Sequence, residues 1–268
     1  MPSAPKGERW WQRLRRWRGV LLVATVSIAT IWFALGGRLD YYVHPRYLVF
    51  TVTMAAIALV LCAARALMIV RRPAVEHDHG DEDDDPAPAT RVQAVLSGLA
   101  IVVAAAFAVG MIVFPPATLS SATALQRDLA GGSTVAGGSS LSSAQSASNA
   151  AFAKFTVLDW SSLLHQTTDV SFYAGKPVAV EGFVTPSPTD GADMFYLTRF
   201  VITCCAVDAQ PVGVPIYLPN WHDTYKNDQW LSVTGGFEAN QSTTSTDAIA
   251  LVPSGVTKIS APNDPYLY

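Results

Sequence analysis

Three apolar runs in the first 116 residues constrain the fold of this 268-residue chain more than any other feature. They cover residues 19–35, 47–70 and 92–114, and the whole chain is 50% hydrophobic with only 15% charged residues. Soluble globular domains carry about 25% charged residues. A bilayer-spanning helix needs roughly 20 apolar residues, so the first run is near the lower limit, although Trp17 and Gly36-Gly37 can extend it. The pattern predicts a membrane protein with three transmembrane α-helices.

The distribution of basic residues predicts the orientation of these helices. Residues 1–18 carry six Lys and Arg among three Trp, two basic residues lie between the first two runs, and three lie between the second and third. Because cytoplasmic segments carry the excess of positive charge, residues 1–18 and 71–91 are expected in the cytoplasm. Everything after residue 116 then lies outside it, in a multi-pass protein of the plasma membrane. A signal peptide is the alternative for the first run, but no small-x-small cleavage pattern precedes Gly36.

The cytoplasmic loop 71–91 contains the sequence EHDHGDEDDD, in which His77 and His79 lie among seven carboxylates. Imidazole and carboxylate groups can together hold a divalent cation loosely. The simpler interpretation, which we favour, is a solvated acidic loop.

The second and third apolar runs carry small residues at four-residue spacing, which permits close contact between helices. This contact is expected either among the three helices themselves or with another membrane protein. The small residues are Ala58, Cys62 and Ala66 in the second run, and Ala100, Ala104 and Ala108 in the third.

Residues 117–150 are rich in Ser, Gly and Ala, and this composition predicts a flexible linker. The globular part follows at 151–268, with one helical pattern at 157–165 and then strand-like runs separated by turn residues. Five or six short strands predict a small OB-like β-barrel. Gly182, Gly235 and Gly236 are expected at bulges or tight bends.

The adjacent Cys204 and Cys205 are the most reactive pair of groups in the distal domain. In an extended strand 200–206, Cys204 would face the core and Cys205 the opposite side, unless the strand breaks near Ala206. Asp208 supplies a plausible turn there. Three alternatives follow: a vicinal disulfide, a metal site such as a zinc site formed with Asp208 and His222, or one buried and one idle thiol. We favour metal or redox chemistry over an inert pair.

Other functional classes find no support in the sequence. The domain 151–268 is acidic, which excludes a basic surface for nucleic acid. We expect no enzymatic activity, because CxxC, HExxH, GxSxG and nucleotide-binding glycine motifs are absent from the sequence. Arg199 is interpreted as an ion-pair partner of Glu181 or Glu238, with an anion contact as the alternative.

Several motifs resemble those of the YcgQ-type permease subunits, a bacterial family whose members pair with a separate multi-span permease. The similarity covers nearly the whole chain and includes the segments that contain Gly182, Arg199, Trp230 and Gly235. The motifs are GGRLDYYVHPR, PPATLSSATALQRD, VAVEGFV, FYLTRFVITCCAVDAQPVG, WLSVTGGF and PNDPYLY.

This resemblance implies an accessory subunit of a membrane permease complex, with an extracytoplasmic OB-like domain. Metal ion transport or homeostasis is one process in which such a subunit can act. The alternative is a membrane-anchored metal-binding or thiol-redox module that works alone.

Overall fold

The computed structural model describes residues 6–71, 119–127 and 137–268, together with single residues at 99, 102, 103, 106, 110 and 129. The chain divides into two compact units, Met1–Pro116 and Ala117–Tyr268. The acidic loop with His77 and His79 lies outside the described residues, as does nearly all of the third predicted span.

Among its described residues, the first unit contains two long helices, α1 (Lys6–Leu35) and α2 (Leu48–Arg71). The basic segment from residue 6 onward is therefore continuous with the first apolar run. Two 3₁₀ turns, Leu39–Tyr41 and Pro45–Tyr47, connect the helices. By length and composition, the stretch Pro45–Arg71 is able to cross a bilayer, and Gly19–Leu35 is a shorter apolar helix. Apolar helices are thus confirmed within the described residues, whereas three spans remain a prediction.

The small-residue stripe of α2 lies on the side of the helix that is less exposed. Helices α1 and α2 pack against each other, and Ala55 is only 9% exposed. Ala58, Cys62 and Ala66 are half-buried, whereas Leu61 is exposed. The stripe therefore fits packing within this helix pair, where small side chains let two backbones approach. The corresponding stripe of the third run lies outside the described residues.

The second unit is built around six strands. These are β1 (Val178–Pro186), β2 (Met194–Val201), β3 (Gln210–Tyr217), β4 (Trp230–Ala239), β5 (Ile249–Lys258) and β6 (Tyr266–Leu267). The sheet order is β1-β4-β5-β3-β2-β6, and β1 also pairs with β2. The first five strands thus close into a barrel, in which β3 and β5 are parallel. The mostly-β prediction is confirmed, and this order is compatible with an OB-like barrel.

Five short helices pack with the barrel: α3 (Ser121–Gln126), α4 (Leu141–Gln145), α5 (Asn149–Phe152), α6 (Val157–Gln166) and α7 (Val170–Tyr173). Helix α6 begins with a capping box, in which Thr156 and Asp159 satisfy each other's backbone amides. Its inner face places Trp160 and Leu163 in the core. The Trp160 ring lies 5.1 Å from that of Phe237 on β4, so the helix and the barrel share one core.

The prediction of a flexible linker at residues 117–150 is wrong for those of its residues that the structure describes. Helices α3 and α4 lie within it, and Ala124 and Ala144 are 0% and 1% exposed. The Ser, Gly and Ala content reflects close packing: a Cβ at Gly138 would overlap the Ser162 side chain. A serine side chain also caps α4, because the Ser140 hydroxyl accepts the amide of Ser143. The second unit therefore begins at residue 117 instead of 151.

Glycine is required where the barrel closes. Strand β1 pairs with β4 up to Phe183 and with β2 from Phe183 onward. At Gly182 a Cβ would lie 2.7 Å from the Thr198 carbonyl oxygen of β2, closer than real Cβ atoms come. Gly235 lies at a register shift between β4 and β5, and a Cβ there would collide with the Val252 carbonyl. Gly235 thus lies at a strand irregularity, whereas Gly182 is required by the close approach of two strands.

Gly182→Ala should destabilise the barrel, because the added methyl group forces β1 and β2 apart at the closure. We expect a loss of about 1–3 kcal/mol in the free energy of unfolding, measured by denaturant unfolding of the full chain. Gly236→Ala is the matched control, since a Cβ at Gly236 meets nothing within 4 Å. Equal stabilities of the two variants would contradict the closure argument.

Candidate functional site

The cysteine pair lies in a loop, residues 202–209, that connects β2 and β3; we call it the cysteine loop. Strand β2 ends at Val201. The Asp208 carboxylate then accepts three consecutive main-chain amides, from Thr203 (3.3 Å), Cys204 (2.7 Å) and Cys205 (3.3 Å). The amide of Asp208 donates in return to the Cys205 carbonyl at 3.0 Å. One side chain thus holds the loop closed.

This geometry corrects the predicted orientation of the cysteines. Cys204 was expected to face the core from an extended strand, but it is exposed, and Cys205 is half-buried. The strand also ends at Val201 instead of near Ala206. The physical reason is that Asp208 takes the amides that would otherwise continue the strand ladder.

Cys204, Cys205 and Asp208 form one cluster of metal-ligating groups. Their donor atoms all lie within 4.8 Å of one another. The two sulfur atoms are 3.6 Å apart, and the Cys204 thiol donates to Cys205. Both thiols are free.

His222, the fourth donor considered from the sequence, is not part of this cluster. Its ring bonds to the Gly191 carbonyl at 2.6 Å and stacks on Trp221 with ring centres 3.6 Å apart. Gly191 precedes β2, whereas the cysteine loop follows it, so the strand separates the two groups. A 3₁₀ turn at Trp221–Asp223 positions this histidine.

The Cys204 thiol and the Asp208 carboxyl of this cluster have pKa values shifted in opposite directions. The neighbouring Asp208 carboxylate, then the Cys205 thiol and, to a smaller extent, burial favour the protonated form and raise the pKa of Cys204 to about 12. For Asp208, partial burial acts to raise the pKa, but hydrogen bonds from the Cys204 thiol and from the amides of the loop together lower it. Near neutral pH, Cys204 is therefore a protonated thiol beside an ionised carboxylate.

Segments distant in sequence hold the cysteine loop at both ends. At its start, the amide of Ile202 donates to the Leu267 carbonyl of β6 at 3.0 Å. At its end, the Arg127 guanidinium, which follows helix α3, donates to the Ala209 carbonyl. Ile202 and Ala209 are themselves buried. The loop therefore presents its thiols from a fixed base.

Arg199 holds the C-terminal tail beside this loop. It donates to main-chain carbonyls of Asp264, Pro265 (3.2 Å) and Tyr266 (3.2 Å). Its guanidinium lies 5.6 Å from the centre of the Trp230 ring. Burial lowers its pKa, and the charge of Glu181 opposes that shift. Glu181 therefore acts on Arg199 only through its charge, and the hydrogen bonds of Arg199 go to main-chain carbonyls instead of to the predicted ion-pair partners.

A second polar network, which sequence reasoning missed, lies at the other end of the barrel. Tyr196 donates to Asp247 at 2.6 Å, and Ser242 donates to Asp190 at 2.6 Å. Burial, followed by the charge of Asp247, raises the pKa of Tyr196. The bonds join the β1–β2 loop and β2 to the β4–β5 loop, so their role is to cross-link strands. The Ser- and Thr-rich segment 242–246 was the only signal for it in the sequence.

Labelling kinetics should report the hydrogen bond between Cys204 and Asp208. In a full-length variant that keeps Cys204 as its single cysteine, maleimide should react slowly near neutral pH, because Asp208 raises the pKa of this thiol. Adding Asp208→Asn removes the charge that holds the proton, so the reaction at about pH 8 should accelerate roughly tenfold or more. Equal rates with and without the Asp208→Asn substitution in the folded protein would contradict this account; equal rates after denaturation are the control.

Two protein-family models together match most of the chain. Residues 18–130 match the DUF1980 N-terminal domain, and residues 144–268 match the DUF1980 C-terminal domain. No curated protein and no solved structure matches the chain. The C-terminal match contains all six strands and the cysteine loop. The chain therefore belongs to the DUF1980 family and carries both of its domains, the N-terminal domain first and the C-terminal domain after it.

Proposed function

We propose that this chain is a membrane-anchored accessory subunit whose barrel binds a thiophilic divalent cation, such as zinc, in the cysteine loop. The observation that carries the proposal is the clustering of Cys204, Cys205 and Asp208, with all three donor atoms within 4.8 Å of one another on one exposed loop. Two thiolates and one carboxylate are a donor set that zinc accepts.

The spacing of the sulfur atoms supports shared coordination of one ion. Two thiolates that each lie about 2.3 Å from a tetrahedral zinc ion are about 3.8 Å apart. The sulfur atoms of Cys204 and Cys205 are 3.6 Å apart before any metal is added. Binding therefore requires little movement of either side chain.

The redox alternative receives less support from the same site. A thiolate is the species that attacks a disulfide, whereas the pKa of Cys204 is raised to about 12 by its bonds to Asp208 and Cys205. A vicinal disulfide would also need the sulfurs to approach to about 2.05 Å, from 3.6 Å. A metal ion, in contrast, can displace the thiol proton while the two sulfur atoms stay close to their present separation of 3.6 Å.

Zinc titration of the purified full chain should show about one tight site. Cys204→Ser and Cys205→Ser should each weaken binding by about 100-fold and Asp208→Asn by roughly 10- to 100-fold, because each removes a ligand or the group that orients the loop. Affinity should fall as the pH is lowered, since protons compete for the thiolates. Isothermal titration calorimetry and bound-metal analysis provide the measurements.

Two variants serve as controls for this titration. Cys62→Ser changes a cysteine of α2, and Glu238→Gln changes an exposed carboxylate of β4; neither should alter zinc affinity. Binding that survives the loss of both Cys204 and Cys205 would overturn the assignment of the site.

The proposed placement has the N-terminus in the cytoplasm and the barrel outside it, with the third span between them. Support comes from the apolar stretch Pro45–Arg71 and from the six basic residues within residues 1–18. The plasma membrane is the proposed location.

Reporter fusions should reveal this topology. Alkaline phosphatase fused after Tyr268 should be active, because it folds only outside the cytoplasm, and a fusion in the loop 71–91 should be inactive. A cytoplasmic reporter should give the opposite pattern at both positions. An inactive phosphatase after Tyr268 with an active cytoplasmic reporter there would show that the topology is wrong.

The proposed partner is a multi-span permease, as the resemblance to YcgQ-type subunits implies. Helix α2 carries exposed Val49, Phe50, Val60 and Leu61 beside its buried face, which is surface for lipid or for another membrane helix. The described helices α1 and α2 provide no charged residue deep in their apolar parts, so a substrate path through this chain alone is not supported.

A tagged full-length protein should copurify with a multi-span membrane protein from mild detergent. The Cys204→Ser/Cys205→Ser double variant should retain that partner, because the helices are expected to make the contact and the thiols are not. Purification without a partner under every growth condition, together with an intact phenotype when all candidate permeases are deleted, would favour the stand-alone module.

A further inference from the structure

The metal-binding groups of the cysteine loop approach the site from one side only. All of them belong to the stretch 204–208, in which Cys204 is exposed and Val207 is 84% exposed. Within the described ranges, no other His, Cys, Asp or Glu joins this cluster. Zinc takes four ligands, and a site with three protein ligands keeps one position open. With Cys204 and Val207 exposed, such a position would be open to solvent.

We propose that the cysteine loop is an exchange site, in which the thiolate of an incoming molecule takes the open position and the metal passes between the two. This inference rests on the proposed function, since it requires a metal on Cys204, Cys205 and Asp208. The role of the site would be to deliver or collect a thiophilic cation. The molecule that gives or takes the cation would carry a thiol.

The exchange balances without any change of oxidation state. The incoming thiolate forms a metal–sulfur bond, and the water molecule in the open position leaves. The bond between the metal and Cys204 Sγ then breaks, and that sulfur takes a proton from solvent. A second sulfur from the acceptor then replaces Cys205 in the same way, and that cysteine also takes a proton from solvent. The bond between the metal and the Asp208 carboxylate breaks last, and this completes the transfer.

The exposure of the two cysteines sets the order of these steps. Cys204 is exposed and Cys205 is half-buried, so an incoming sulfur reaches the metal from the side of Cys204. The loop is anchored by the Ile202–Leu267 and Arg127–Ala209 hydrogen bonds. Ligand exchange can therefore proceed without unfolding of the barrel, because only the thiol side chains need to move.

Release kinetics of the zinc-loaded full chain test this mechanism. Zinc leaving the protein is followed with a chromogenic chelator at constant concentration, while reduced glutathione or a peptide with two cysteines is varied. The release rate should rise in proportion to the thiol concentration, by roughly tenfold or more at millimolar thiol. S-methylglutathione is the matched control, because it lacks the thiol and should leave the rate unchanged.

The possible results separate this inference from the proposed function. A rate that rises with glutathione supports exchange with small thiols, and a rise with the two-cysteine peptide alone supports exchange with a protein-like acceptor. Zinc that binds but leaves at the same rate at every thiol concentration would overturn the exchange site while the metal site stands. Failure of the wild-type chain to bind zinc at all would overturn the proposed function, and with it the exchange.

Discussion

The sharing of strand β1 between two neighbours is the constraint on which the second unit depends. Its first residues pair with β4 and its last with β2, so five strands form a closed surface with no free edge between β1 and β2. Alternate residues of the strands, such as Leu197 and Val233, are fully buried inside it. Closure fixes the position of β2, and the end of β2 is where the cysteine loop begins.

The site is thus a short irregular loop on a rigid support. A barrel strand brings the chain to Val201, and a return strand leaves from Gln210. Between them, hydrogen bonds to the C-terminal tail and to the segment after α3 hold the flanking backbone. A functional loop needs a rigid scaffold that keeps its ends in place. Arg199 supports the cysteine loop indirectly, because it holds the C-terminal tail that pairs with β2.

The parts of the fold that sequence could predict are those that depend on local patterns. Strand positions followed from alternating apolar residues and turn residues, and glycine indicated an irregularity at Gly235, where β4 and β5 shift register. The orientation of Cys204 could not be predicted, because it depends on a carboxylate four residues later that removes amides from the strand ladder. The carbonyl partners of Arg199 lie more than 60 residues away in sequence.

The composition of residues 117–150 gave a wrong prediction for a related reason. Small polar residues are typical of mobile linkers, but they also fit where two backbones come close. A mobile linker and a packed segment differ in whether another surface lies against them. Here Ser162 on helix α6 belongs to such a surface.

Asp208 connects the shape of the loop to its chemistry. A carboxylate offers about four acceptor positions, and here three main-chain amides occupy three of them. These three bonds maintain the backbone, and the Cys204 sulfur lies within 4.8 Å of the same carboxylate. A metal ion that replaces the thiol proton would lie between Cys204 and Asp208, close to the second thiol, while the three amide bonds persist. Proton and metal therefore compete for one position, and the backbone of the loop needs no rearrangement to change from one occupant to the other.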